Sequence, residues 1–274
     1  MDQIDALRAG DGVDSRAPPS ARPRRVTVAD AMTPKGRAGA TQRGKLAYTF
    51  ARRGPSTLRH EAPMLSHVII IVPVLLFSVI VHEISHGYVA LRLGDPTAAR
   101  LGRLTLNPLP HIDPVMTILL PAFLIISNAG IVFGGAKPVP INPYNLRNLR
   151  RDSAVIALAG PASNVVLALA CWIVLLLMEA LGLGGSPSTI DGAVGLVLGY
   201  GVFINIVLGW FNMLPIPPLD GSKVVAFLLS PENAARYLSI ERYGFVVLIV
   251  FIMAGGVRFW MAPIPRLLSL MGLV

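Results

Sequence analysis

Residues 64–93, MLSHVIIIVPVLLFSVIVHEISHGYVALRL, decide how this chain is read. The run exceeds the roughly 20 predominantly apolar residues that a helix needs to cross a bilayer. It nevertheless carries His82, Glu83 and His86. Four residues make about one helical turn, so the two imidazoles project from one face and can share a single ion. Glu83 flanks that face. A carboxylate there can take a proton from metal-bound water, the general-base role of the H-E-x-x-H motif. Each ionisable group at membrane depth costs about 2.5–3.5 kcal/mol on insertion scales, so three together call for a functional reason. The bland alternative is a helix end with two interfacial histidines. The chain holds only five His, which argues against a chance spacing. A third ligand is missing from this segment.

Working outward, 53% of the 274 residues are hydrophobic and 14% charged, with a mean hydropathy of +0.62. Such a composition excludes an ordinary soluble domain and predicts a multi-pass membrane protein. The single cysteine, Cys171, lies in an apolar segment, so it offers no internal disulfide and no cysteine cluster for a metal. The net charge of +9 does not require a nucleic-acid partner: half of the Lys and Arg precede Met64 and the rest flank apolar runs. Basic loops facing an anionic leaflet account for them.

Residues 1–63 contain DSRAPPSARPRR and TPKGRAGATQRGK, without helical or strand periodicity. They read as a disordered basic tail, or as a segment preceding a true start at Met64, with 64–274 as the membrane domain. Next, residues 94–114, GDPTAARLGRLTLNPLPHIDP, include the alternating RLTLN, which predicts a short interfacial β-hairpin. His111 and Asp113 within it are reserve ligands or a hydrogen-bonded structural pair. The apolar run 115–133, broken by Pro121, either spans or dips and returns. Lys137, Arg147, Arg150 and Arg151 follow it, and by the positive-inside rule that loop faces the cytoplasm.

Residues 153–181 form a clear spanning helix that opens with AGPASN. There Gly160 and Ala162 permit close helix packing, and Asn164 is either a packing amide or a substrate-facing one. A loop without Lys or Arg leads to 193–214, which crosses back and ends in NMLPIPPLDGSK. Three prolines unwind the backbone near membrane depth, a break tolerated only in a protein interior or beside a wet cavity. Asp220 follows that break as the one acidic residue between Asp191 and Glu232. It is a candidate third ligand, or a turn or capping aspartate. Residues 243–254 supply a last short span, and 259–273 an amphipathic or re-entrant piece. The fold expected is therefore an all-α bundle of about four to six transmembrane or re-entrant helices.

With the H-E-x-x-H at His82 and the LDG at 219–221 both present, the chain resembles the site-2 protease family of intramembrane zinc metalloproteases. The likeness runs from about residue 64 to the end. It includes GPASN at 160–164, FNMLPIPPLDG at 211–221, AKPVPINP and GDPTAARLGRLTLNPLPHIDP. The resemblance implies one Zn²⁺ held by His82, His86 and Asp220, with Glu83 as the catalytic base and Asn164 as a group that binds substrate or the oxyanion. It also implies a transmembrane protein as substrate and a prokaryotic cell membrane as location. The match is closest to the compact bacterial and archaeal branch, which lacks PDZ and CBS insertions. Met116 departs from the glycine expected after HIDP, and the leader is longer than usual.

Two other classes share some of these features. Buried His, Glu and Asp beside a Pro-broken helix also describe ion-coupled transporters or channels. No inverted second copy of either motif supports that reading. A non-proteolytic zinc-binding scaffold needs the ligands but has no use for Glu83.

Overall fold

The computed structural model describes residues 64–119, 126, 135–183, 185 and 189–274. The basic tail 1–63 and most of the run 115–133 lie outside the described residues. Among those described, three helices are long and apolar enough to cross a membrane, or four if a bent C-terminal pair counts as one span. The protein is an all-α bundle of membrane helices.

Helix α1 is Met64–Arg92. Its outward face bears Ile69, Val72, Leu75 and Phe77, all exposed, and lipid is the solvent that stabilises such a face. Ser78 and Ser85 donate their hydroxyls to the carbonyls of Val74 and Val81 one turn back, at 2.8 and 2.7 Å. That bonding satisfies both side chains in the apolar layer. Helix α2, Leu149–Ala180, starts where Asn148 accepts the Arg151 N–H and Asp152 accepts the Asn148 N–H in return. The reciprocal bonds cap two donors that the first turn leaves open. Helix α3, Ile190–Asn212, is capped by the Thr189 hydroxyl, which accepts the Gly192 N–H.

After the proline-rich break, α4 runs Asp220–Leu228 and α5 Pro231–Leu238. Then come α6, Gly244–Met253, α7, Gly256–Met261, and α8, Pro263–Leu270. Gly255 turns the chain in the left-handed region, φ +78°, where the α5–α6 stretch bends by 75° into the last two helices. The short span expected at 243–254 is followed at once by a sharp turn into the segment expected to be amphipathic or re-entrant, 259–273. Trp172 Nε1 donates to the Met271 carbonyl, and Trp210 and Trp260 donate to each other's carbonyls at 2.8 and 3.0 Å. These bonds tie the C-terminal helices to α2 and α3. Helix α2 packs against α1, α3 and α4, and the site lies where α1, α2 and α4 meet.

One expectation is corrected. The RLTLN segment is not a hairpin, and no strand occurs among the described residues. Residues Thr97–Arg100 form one helical turn, Gly102 turns the chain at φ +64°, and Leu109–His111 is a 3-10 turn. Side chains capture the backbone groups that a strand ladder would use. Thr105 accepts the Asn107 N–H, Asn107 accepts the Leu109 N–H, and the His111 ring donates to the Thr105 carbonyl at 2.9 Å. Local capture of this kind competes with sheet pairing, and in a segment without a partner strand it wins.

Candidate metal centre

His82 and His86 lie one turn apart on α1, both buried, at 4% and 7% exposure. The break before α4 brings Asp220, 8% exposed, against them. His82 Nε2 is 3.1 Å and His86 Nε2 is 3.3 Å from the same oxygen, Asp220 Oδ2. The donor atoms of the three residues lie within 4.8 Å of one another. Glu83, on the same turn, accepts the Val139 N–H at 2.8 Å through Oε2.

The tautomers follow from the far side of each ring. His82 Nδ1 is 2.6 Å from Asn164 Oδ1, and His86 Nδ1 is 2.7 Å from the Ile156 carbonyl. Both partners are oxygen acceptors, so each Nδ1 carries a proton and each Nε2 is the nitrogen turned toward the aspartate, where its lone pair is available to a metal once any proton shared with Asp220 is lost. With both Nε2 atoms deprotonated the three facing atoms are all acceptors, and they repel unless a cation sits among them. Two bonds of about 2.0 Å meeting at a tetrahedral angle put their outer atoms about 3.3 Å apart, close to the two spacings found. The donor set and its spacing fit a metal of the zinc type.

A second feature is space. A Cβ added to Gly160 of α2 would sit 2.5 Å from His82 Cε1, His82 Nε2 and His86 Nε2. Only a residue without a side chain leaves the two imidazole tips free. On α4, a Cβ at Gly221 would meet the Met213 carbonyl oxygen at 2.2 Å. The glycine of LDG therefore lets the start of α4 close onto the unwound end of α3, which positions Asp220.

These residues line a cavity of about 490 Å³ with Glu83, Val139, Ile156 and Pro218 on its walls. Its charged lining also includes Lys223, one turn beyond Asp220, and Glu241, neither of which the sequence reading singled out. Arg103, itself buried, donates through Nη2 to the carbonyls of Lys137 and Pro138. This bond holds the extended segment whose Val139 N–H reaches Glu83. Asp95 anchors the same loop. Fully buried, it accepts from Asn142 N–H at 2.6 Å, Asn145 Nδ2 at 2.8 Å and Thr97 N–H at 3.1 Å. Burial pushes its carboxyl up, but the hydrogen bonds from Thr97, Asn145 and Asn142 outweigh that and hold it below the ordinary aspartate range.

Of the residues expected from sequence, His82, Glu83, His86 and Asp220 come together at one cavity. Asn164 does not line it. The side chain is fully buried, with Oδ1 on His82 and Nδ2 on Asn205 Oδ1 at 2.8 Å. His111 and Asp113 are not part of the metal-ligand group; His111 is buried, with its ring on Thr105. Asn205 and Ser78, two buried polar groups in apolar helices, were missed, although an amide in such a run is itself a signal.

The chain is 40% identical over 178 residues to YwhC of Bacillus subtilis (strain 168), covering 64% of this chain and 76% of that one. Peptidase family M50 is matched over residues 188–255, which hold the LDG segment. The chain belongs to peptidase family M50, the site-2 protease family. A second relative of this M50 chain, Rip2 of Mycolicibacterium smegmatis (strain ATCC 700084 / mc(2)155), is 32% identical over 186 residues, 68% of this chain and 67% of its own. MJ0611 of Methanocaldococcus jannaschii (strain ATCC 43067 / DSM 2661 / JAL-1 / JCM 10045 / NBRC 100440) is 36% identical over 97 residues, 35% of this chain and 46% of its own. All three relatives carry the name "Putative zinc metalloprotease". No solved structure shows a significant match to this M50 chain.

Proposed function

We propose that this M50 protein is an intramembrane zinc metalloprotease of a prokaryotic cell membrane. It hydrolyses peptide bonds within or near transmembrane segments of membrane-protein substrates. One zinc ion is held by His82 Nε2, His86 Nε2 and the Asp220 carboxylate, and Glu83 is the general base. The observation that carries this reading is the convergence of three lone-pair atoms beside a carboxylate, in one cavity of a membrane bundle.

Zinc held there supplies Lewis-acid polarisation of the scissile carbonyl and lowers the pKa of water to about 7. Glu83 takes the proton from the attacking water and returns it to the departing amine. Its Oε2 is anchored by the Val139 N–H, which aims the carboxylate and leaves Oε1 to handle the proton. The segment held by Arg103 keeps that anchor in place. A transmembrane helix hides its amides in internal hydrogen bonds, so a substrate must unwind locally before its carbonyl reaches the cavity. Helix-destabilising residues near the scissile bond favour cleavage.

The test is a paired assay on the full chain in detergent: zinc by elemental analysis, and cleavage of a model transmembrane substrate. The reading expects stoichiometric zinc in wild type and in Glu83→Gln, cleavage by wild type alone, and weakened zinc binding in Asp220→Ala. Glu83→Gln should lower the rate by about 10²–10⁴-fold, the usual contribution of a positioned base. Cleavage by Glu83→Gln at the wild-type rate would remove Glu83 from the mechanism, and failure of wild type to take up zinc would remove the metal.

A further inference from the structure

We infer that Asn164, Asn205 and Ser78 form a directional hydrogen-bond chain that sets the tautomer of His82 from the interior of the bundle. Asn205 and Ser78 are thereby positioning residues for a metal site they do not touch. The inference rests on the ligand role proposed for His82 only where it concerns zinc; the tautomer itself follows from the hydrogen bonds.

All three side chains are buried, Asn164 at 0%, Asn205 at 2% and Ser78 at 1% exposure. The chain begins at two backbone carbonyls, which can only accept. Ser78 Oγ donates to the Val74 carbonyl at 2.8 Å, and Asn205 Nδ2 donates to the Gly201 carbonyl at 2.8 Å. The second hydrogen on Asn205 Nδ2 goes to Ser78 Oγ at 2.9 Å. These contacts leave Asn205 Oδ1 as the atom facing α2, where it accepts from Asn164 Nδ2 at 2.8 Å. Asn164 Oδ1 is then turned to His82 Nδ1 at 2.6 Å.

Each carboxamide could be rotated by half a turn without changing its shape, so sterics alone do not choose the direction. The carbonyls do. Reversing Asn164 would present Nδ2 to His82 and demand a donor from Asn205. A reversed Asn205 would set Oδ1 against the Gly201 carbonyl oxygen at 2.8 Å, acceptor against acceptor. A buried site offers such unpaired groups no water to turn to, so the reversed arrangement is disfavoured. The polarity therefore runs one way, from α1 and α3 through α2 to the ring. It fixes a proton on His82 Nδ1 and leaves Nε2, 3.1 Å from Asp220 Oδ2, as the nitrogen available to a metal. Hydrogen-bond partners behind a ligating histidine typically alter metal affinity by about 10- to 100-fold when removed.

Two readouts on the full chain in detergent test this. In metal-free protein with isotope-labelled histidine, the ring-nitrogen shifts of His82 report its tautomer without reference to zinc. Wild type should carry Nδ1–H in every molecule, whatever proton Nε2 shares with Asp220. Asn205→Leu, which frees Asn164 to turn, should show a mixture of tautomers and bind zinc about 10- to 100-fold more weakly in competition with a chelator. Asn205→Leu combined with Asn164→Asp should restore both, because a carboxylate presents an acceptor to His82 whichever way it is turned. A merely structural loss at position 205 would not be rescued in this way. A wild-type His82 that lacks the Nδ1 proton overturns the inference even if Asn205→Leu does not fold. So does an unchanged tautomer in Asn205→Leu, or a failure of the double variant to recover. A wild type with the expected tautomer but no zinc affinity would instead overturn the metal site and leave the hydrogen-bond chain standing.

Discussion

At the scale of single residues, the centre depends on atoms that are absent as much as on those present. Gly160 faces both imidazole tips, and a methyl group there would occupy space within 2.5 Å of each Nε2. Because these contacts are to two rings held on their far sides by Asn164 and Ile156, neither ring can retreat without losing its hydrogen bond. Gly160→Ala should weaken zinc binding at least about tenfold, the scale of a disturbed ligand shell. Circular dichroism should show the helices retained. Zinc affinity equal to wild type would show that the rings can shift. Gly221→Ala acts differently, since its Cβ meets the Met213 backbone. It should move Asp220 away from the histidines and lower the melting temperature as well as the zinc affinity.

At the scale of elements, the extended loop before α2 works as a splint for Glu83. Arg103 holds it at Lys137 and Pro138, and Asp95 holds it at Asn142 and Asn145. Asp95→Ala strands several donors and should cost about 1–3 kcal/mol of stability, read as a lower thermal midpoint in detergent. The pH dependence has a definite sign. The folded-state pKa of Asp95 lies below its ordinary value of 3.8. Its stabilising contribution is therefore fully present above that value and is lost as pH falls through the lower folded value. Wild type should thus lose stability below about pH 4, and Asp95→Asn should lack this component. Identical acid profiles for the two proteins would show that Asp95 does not carry it.

At the scale of the whole molecule, the apolar outer faces of α1, α2 and α3 are exposed in the isolated chain, and only 17–28% of each span's most apolar window is buried. A bundle so little buried in itself needs lipid around it. Because His82, His86 and Asp220 meet within a few ångströms, the C-terminal part of α1 and the start of α4 share one depth. If the basic loop between residues 135 and 150 faces the cytoplasm, as its charge predicts, that depth lies near the cytoplasmic side. With Cys171 replaced by serine, Tyr144→Cys, whose parent side chain is 96% exposed, should react with an impermeant thiol reagent only after cells are opened. Ready labelling of intact cells would reverse the orientation.

The sequence by itself determined the membrane class and the long helices, and it singled out His82, Glu83, His86 and Asp220 as candidates. Hydropathy runs and one-turn spacing are local properties that survive without coordinates. It also misled at RLTLN, where alternation suggested strands but Thr105, Asn107 and His111 consume the backbone locally. Only the tertiary structure decided what stands behind these candidates: the Asn164 amide on His82, the Ile156 carbonyl on His86, the Val139 N–H on Glu83 and the empty space at Gly160. The reason is physical. Each of these contacts joins side chains or backbone far apart in the chain, and its direction is set by donors and acceptors that meet only when α1, α2, α3 and α4 pack together.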